Sequence, residues 1–250
     1  MFHNKTFVVT GSNGFLGKNL KNHLIKKGAN FYGLDLQKGK NTIQCDITNE
    51  IEVKKAFKII RSKHEPDVLI NNAAINPANI KKLKENSFKF SNYSLELWRK
   101  SLEVDLVGSF LTSKYCCKSF ERKNKGLIIN ISSIYGIVGS DQNIYSNKSK
   151  KYYGYKPIEY SVSKAGLVGF TKSLASFYKN TNIRVITLVL GGIENNQNSN
   201  FKNKYSNKTI INRMAKISEI INYIDFYASD KATYSTGSSI IVDGGATAIL

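Results

Sequence analysis

At 250 residues with 41% hydrophobic content, the chain can bury a full globular core, and no run approaches the roughly eighteen apolar residues of a membrane span. A strand-like run begins at Phe7, which leaves no room for a signal peptide, and Cys45, Cys116 and Cys117 are odd in number and point to neither a disulfide framework nor a metal site, so a cytoplasmic protein without membrane attachment is expected. The net charge of +19 comes from Lys scattered over every segment, 32 against 5 Arg; Arg, favoured for base-edge and bidentate phosphate contacts, is scarce, no recognition motif accompanies the charge, and nucleic-acid binding is not expected.

The first predicted unit reads strand, turn, helix. Phe7-Val8-Val9 is a β-branched run, Gly11, Gly14 and Gly17 follow at intervals of three, and an amphipathic stretch continues to Lys27. A dinucleotide phosphate loop requires this context. The first Gly permits the tight turn, the second lets backbone approach the pyrophosphate, and the third allows close helix packing. The helix N-terminus adds N–H donors and a positive dipole end. Asn13, Phe15 and Leu16 belong to the same turn and join the cofactor-binding candidates. A glycine-rich turn without a ligand is the plainer alternative. The second strand, Phe31 to Asp35, places a carboxylate 18 residues beyond Gly17, with Leu36 after it. There it accepts hydrogen bonds from the adenosine ribose of NAD and repels the 2′-phosphate of NADP. A turn-initiating Asp is the bland reading.

A third short strand, Thr42 to Cys45, leads to Asp46 and Ile47. Thr48 or Asn49 caps a helix to about His64, and Pro66 stops it. The fourth strand, from Asp67, ends in Asn71-Asn72-Ala73-Ala74, where small side chains let a planar ring lie against backbone. Residues 75 to 93 read as an irregular loop or short broken helix. One long amphipathic helix is expected from Ser94 to about Phe120, its apolar positions serving core or subunit contact. The fifth strand, Leu127 to Ile131, ends in Ser132-Ser133. Residues 136 to 157 are loop-like, with Tyr145, Tyr152, Tyr153 and Tyr155. A helix carrying Tyr160 and Lys164 runs to about Lys179, and a sixth strand, Arg184 to Leu190, opens into Gly191-Gly192. The polar, aperiodic segment 194 to 209 reads as a mobile lid that extends to about 216. A last helix, Ser218 to Ser229, precedes the seventh strand, Ser239 to Asp243, and Gly244-Gly245. His3, His23 and His64 are remote from every strand end and read as surface residues. No repeat or linker divides the chain. Alternating strands and helices imply one α/β domain over 1–250, a doubly wound parallel sheet of about seven strands with helices on both faces. Ligands then bind beyond the strand C-termini, where the singled-out residues gather.

Tyr160 and Lys164 lie four apart on one helix face. A free phenol titrates near pH 10; a nearby ammonium favours the phenolate and lowers that value, so the pair can take a proton from an alcohol or return one to a carbonyl. By itself the pair is more often a solvated helix face.

The ordered set Thr10-Gly11 to Gly17, Asp35, Cys45-Asp46-Ile47, Asn71 to Ala74, Asn130-Ile131-Ser132-Ser133, Tyr160 to Lys164 and Val242-Asp243-Gly244-Gly245 resembles the short-chain dehydrogenase/reductase family over essentially the whole length. The resemblance implies a Rossmann fold and an NAD-dependent alcohol/carbonyl oxidoreductase. Tyr160 would be the general acid/base, Lys164 would lower its pKa and hold the nicotinamide ribose, and Ser133 would hydrogen-bond the reacting oxygen. Asp46 and Ile47 would flank the adenine, Asn72, Ala73 and Ala74 would line the cofactor, and Gly191 and Ile193 would shape the nicotinamide side. A homodimer or homotetramer is expected on the same ground.

Four features depart from the family pattern. Gly14 comes one residue early, and Asp105 stands where members carry an Asn that supports a water relay to the Lys. Leu190-Gly191 replaces Pro-Gly, and Ser133 and Tyr160 are 27 residues apart, with an insertion at 140–157 where substrate enters. That insertion, after Ser133-Ile134-Tyr135-Gly136, is similar to a subgroup linked to bacterial surface-sugar and flagellin modification. A phosphorylated or nucleotide-linked sugar is therefore the expected substrate, its ring stacked on the tyrosines, and the alternative is that those rings pack the loop. A weakly catalytic NAD(H)-binding regulator and a nucleotide-sugar epimerase or dehydratase are the competing functions.

Overall fold

Period-two alternation puts Phe7 and Val9 on one face of the first strand and Val8 on the other, and each side chain is buried. The computed structural model describes residues 2–75, 90–145 and 155–249. Among them, seven strands form one parallel sheet in the order β3-β2-β1-β4-β5-β6-β7. They are β1 (Thr6–Thr10), β2 (Asn30–Asp35), β3 (Thr42–Gln44), β4 (Val68–Asn71), β5 (Lys125–Ser133), β6 (Asn182–Leu190) and β7 (Ser239–Val242). The order reverses between β1 and β4, the position at which a crevice opens beyond the strand ends.

Helices cover both faces. On one, α1 (Phe15–Lys26) and α7 (Ile217–Ala228) press Leu16, Leu20, Leu24, Ile220 and Ile224 onto Phe7, Val9, Ile70, Ile129 and Leu188. On the other, α2 (Glu50–Arg61) and α4 (Gly108–Lys123) pack Val53, Phe57, Ile60, Leu111 and Phe120 onto Val8, Leu34, Leu69, Ile128 and Val185. Asn49 is the α2 cap, accepting from the N–H groups of Ile51 and Glu52.

Two expectations change. The stretch from Ser94 onward is not one regular helix: α3 (Leu95–Leu102) passes through a π-turn at Glu103–Val107 into α4. That turn directs buried Asp105 toward the next helix, α5 (Ile158–Phe177), and π-turns of this kind concentrate where a side chain must be re-aimed. The segment read as aperiodic contains α6 (Ser199–Ser206), because Asn198 caps it and Phe201 and Tyr205 lie four apart on one apolar face. Tyr205 is buried and its hydroxyl accepts the Gly192 N–H, which ties α6 to the end of β6. Of the residues expected in loops, 76–89 and Tyr152 and Tyr153 lie outside the described residues.

Candidate active site

The turn after β1 is built for close approach. Gly11 has φ +63, the left-handed region that disfavours side chains, and a Cβ there would meet Ala73 Cα at 2.9 Å. A Cβ on Gly17 would meet the Gly11 carbonyl oxygen at 2.2 Å, so the first turn of α1 sits directly on the glycine turn. Gly14 meets only that oxygen, at 3.3 Å, and is not required by packing in the same degree. No side chain caps α1 and its first turn holds no acid. The opening N–H groups around Phe15 and Leu16 have no intrahelical acceptors, and this end suits a pyrophosphate.

Asp35 and Asn13 complete the cradle. Asp35 Oδ2 accepts the Asn13 N–H at 2.9 Å, Oδ1 accepts the Gln37 N–H at 3.1 Å, and Asn13 Nδ2 donates to the Gln37 carbonyl at 2.8 Å. The carboxylate keeps lone pairs for ribose hydroxyls, and Leu36 beside it is exposed. Asn72 and Ala73 both donate backbone N–H groups to Thr10 Oγ1 at 2.9 Å, and Asn72 Nδ2 reaches the Thr10 carbonyl at 2.9 Å. The end of β4 is thereby strapped to the glycine turn, with Ala74 exposed at its edge. Asp46 closes its own turn, Oδ1 accepting the Thr48 N–H at 2.9 Å and hydroxyl at 2.7 Å. Ile47, expected beside the adenine, has its side chain buried in the core against Gly108. Gly191 donates its N–H to the Val242 carbonyl at 2.9 Å and Ile193 bridges to Ala215, so both sit where β6 leaves the sheet. These residues could hold a dinucleotide, the Asp35 carboxylate offering acceptors to a ribose and the α1 N-terminus offering donors to phosphates.

Ser133, Tyr160 and Lys164 converge at the C-terminal end of β5. A buried polar ladder sets their positions. Asn71 and Asn130 pair across β4 and β5, Asn71 Nδ2 donating to Asn130 Oδ1 at 2.8 Å. Asn130 Nδ2 donates to Thr171 Oγ1 on α5 at 2.8 Å, and Thr112 Oγ1 on α4 donates to Asn71 Oδ1 at 2.7 Å. Nearer the site, Ser132 donates to the Lys164 carbonyl at 2.7 Å, and a Cβ on Gly136 would meet the Lys164 carbonyl carbon at 2.6 Å. α5 is locked onto the strand end.

Lys164 is 3% exposed; its Nζ donates to the Ile131 carbonyl at 3.1 Å and lies 3.3 Å from Asp105 Oδ2. Asp105, 2% exposed, also accepts the Ser163 hydroxyl at 2.7 Å. The Ser133 hydroxyl accepts the Tyr135 N–H at 3.2 Å and lies near enough to the Tyr160 phenol to favour its ionised form. Burial raises the Tyr160 pKa, but the ammoniums of Lys156 and Lys164 and the Ser133 hydroxyl outweigh it and hold the phenol below its usual range. The arrangement can donate or accept a proton at the Tyr160 oxygen.

Sequence reasoning missed Lys156, whose Nζ lies 3.5 Å from the centre of the Tyr160 ring. The available signal was a second Lys four residues on the other side of Tyr160. Of the insertion tyrosines, Tyr145 packs on Phe201 at 5.5 Å between ring centres and Tyr155 on Tyr93 at 6.3 Å, which favours the loop-packing alternative for these two rings. Among the histidines, His23 departs from a plain surface role: its Nε2 pairs with Asp225 at 2.8 Å on a partly buried contact between α1 and α7.

Known proteins of similar sequence and shape carry the same plan. Residues 26–247 match a family model described as enoyl-(acyl carrier protein) reductase, a match that begins after the glycine turn. The flagellin modification protein A of Campylobacter coli is 32% identical over 260 residues, covering 98% of this chain and 99% of its own. The 3-oxoacyl-(acyl-carrier-protein) reductase FabG of Aquifex aeolicus is 29% identical, covering 96% of this chain and 86% of its own. A crystal structure of a short chain dehydrogenase from Leptospira borgpetersenii with bound NAD+ is 32% identical with TM-score 0.85, covering 98% of this chain and 94% of its own. With a seven-stranded parallel sheet and this extent of likeness, the chain belongs to the short-chain dehydrogenase/reductase family, oxidoreductases that act on CH–OH groups.

Proposed function

We propose that the chain interconverts a hydroxyl and a carbonyl with NAD(H), using Tyr160 as general acid/base, and that its substrate is a phosphorylated or nucleotide-linked sugar. The observation that carries the reaction is the convergence of Ser133, Tyr160 and Lys164 at one strand end beside the glycine cradle. NAD(H), held by the α1 N-terminus and Asp35, supplies the hydride chemistry at its nicotinamide ring. The chain does the rest. Ser133 Oγ orients the reacting oxygen, Tyr160 Oη takes its proton in oxidation and returns it in reduction, and Lys164 holds the nicotinamide ribose while its Nζ stays fixed by Asp105 and the Ile131 carbonyl.

The substrate class is supported by the likeness to the flagellin modification protein and by a net charge of +19, which draws anions. A second reading, reduction of a 3-oxoacyl thioester on an acyl carrier protein, is favoured by the FabG relatives. Assay of both substrate sets with NADH and NADPH separates them: turnover confined to sugar phosphates or nucleotide sugars with NADH supports the first, and turnover of the thioester alone contradicts it. In the same assay Tyr160→Phe loses turnover by at least about a hundredfold while NADH still binds. A homodimer or homotetramer is proposed through α4 and α5, which leave Phe110 and Val162 exposed beside Val107 of the π-turn.

A further inference from the structure

Lys156 stands just outside α5, with Pro157 as the helix cap. Gln142 fixes its backbone from both sides, Oε1 accepting the Lys156 N–H at 2.8 Å and Nε2 donating to the Lys156 carbonyl at 3.0 Å. The ammonium is thereby placed between two phenols, 3.5 Å from the Tyr160 ring centre and 5.5 Å from that of Tyr135. Lys164 Nζ is farther from the Tyr160 ring, at 5.6 Å. It also faces Asp105 Oδ2 at 3.3 Å, with both groups buried. A cation closed against a carboxylate acts on a third group as a dipole, weaker and shorter-ranged than a lone charge. No carboxylate among the described residues lies within ion-pair distance of Lys156.

We propose that Lys156 is the principal cation stabilising the Tyr160 phenolate in this chain, and that it offsets Asp105, which draws the Lys164 charge away from the phenol. The inference rests on the reading of Tyr160 as the acid/base. The groups that face Tyr160 come from every neighbouring element. Ser133 and Tyr135 come from β5 and the turn after it, Asp105 from the π-turn, Lys164 from α5 itself, Lys156 from the preceding segment and Tyr205 from α6. Their balance supports the assignment. Against burial, Lys156 lowers the phenol most, Lys164 next, then Ser133, and Asp105 opposes them; burial also lowers the Lys156 ammonium, which the Tyr160 phenolate raises in return. Lys156 is a positioning residue for charge, acting through Tyr160.

Ultraviolet titration of tyrosinate in the full-length protein, taken as wild type minus Tyr160→Phe, reads this phenol alone among the 14 tyrosines. Lys156→Gln is expected to move the Tyr160 midpoint up, Lys156→Arg to leave it near wild type, and Asp105→Asn to move it down. Combining Lys156→Gln with Asp105→Asn returns it toward the wild-type value. A midpoint unmoved by Lys156→Gln, or moved equally by Lys156→Arg, overturns the proposal, and Lys156→Gln decides the matter even where Asp105→Asn fails to fold. The acid/base reading is tested separately: full turnover by Tyr160→Phe on the two substrate sets removes that reading, whereas a dead Tyr160→Phe with an unmoved midpoint in Lys156→Gln removes only the role of Lys156.

Discussion

In the proposed reaction Tyr160 carries the proton, and its surroundings fix the direction of the pH response. With burial outweighed by two ammoniums and the Ser133 hydroxyl, the phenol titrates below its usual range. Oxidation of an alcohol needs the phenolate, and reduction of a carbonyl needs the phenol. Initial rates in the two directions therefore run oppositely: oxidation rises and reduction falls as pH climbs through one shared midpoint below that of a free tyrosine. A midpoint at or above the free value would remove the electrostatic account. On the same proposal Asp35 holds the adenosine ribose at the other end of the cofactor. Replacing it by Ala removes an ionised acceptor for ribose hydroxyls, a loss of about 1.5–3 kcal/mol, or roughly ten- to a hundredfold in NADH affinity. NADPH affinity rises in the same variant because repulsion of the 2′-phosphate is gone, and fluorescence titration with both nucleotides checks the sign. Asp35, the glycines and the Tyr160–Lys164 pair were legible in the sequence because each is a local spacing whose meaning is set by a strand before and a helix after. Lys156 was not, because Pro157 puts it outside the helix and its relation to Tyr160 depends on the Gln142 tether.

The elements hold these residues through contacts that span dozens of positions. Asn130 joins β4 to α5, accepting from Asn71 at 2.8 Å and donating to Thr171 at 2.8 Å. Asn130→Ala leaves buried partners on both sides, and each unsatisfied group costs about 1–3 kcal/mol. Denaturant unfolding should show about 2–5 kcal/mol lost in total, and a change under 1 kcal/mol would mean the ladder is not holding α5. Strand and helix identities followed from apolar periodicity, and boundaries moved by only a few residues. The π-turn at Glu103–Val107 could not be read that way. The pattern from Leu95 to Phe120 fits an uninterrupted helix, and the extra residue is admitted by the burial of Asp105 against Ser163 and Lys164. α6 was hidden by its polar composition, since only Phe201 and Tyr205 face the core.

At the scale of the whole molecule, the parallel sheet and its two helical layers were legible because seven apolar strands alternate with amphipathic stretches, and parallel strands require crossovers. What covers the outer faces of α4 and α5 was not, since an exposed apolar residue reads the same as a buried one in sequence. Phe110 is 50% exposed and Val107 42%. Burying them against a second copy predicts a dimer or larger species in sedimentation velocity and a shift toward monomer in Phe110→Asp, with a monomeric wild type as the contradicting result. The proposed role of one phenol, placed by Ser133 and the neighbouring ammoniums, is to move the proton beside an NAD(H) cradle. Its most direct test measures NADH binding and single-turnover NADH oxidation, with the substrate sets named above, in wild type and Tyr160→Phe. Equal binding with hydride transfer lost in the variant is the expected result; wild-type transfer by Tyr160→Phe would overturn that role.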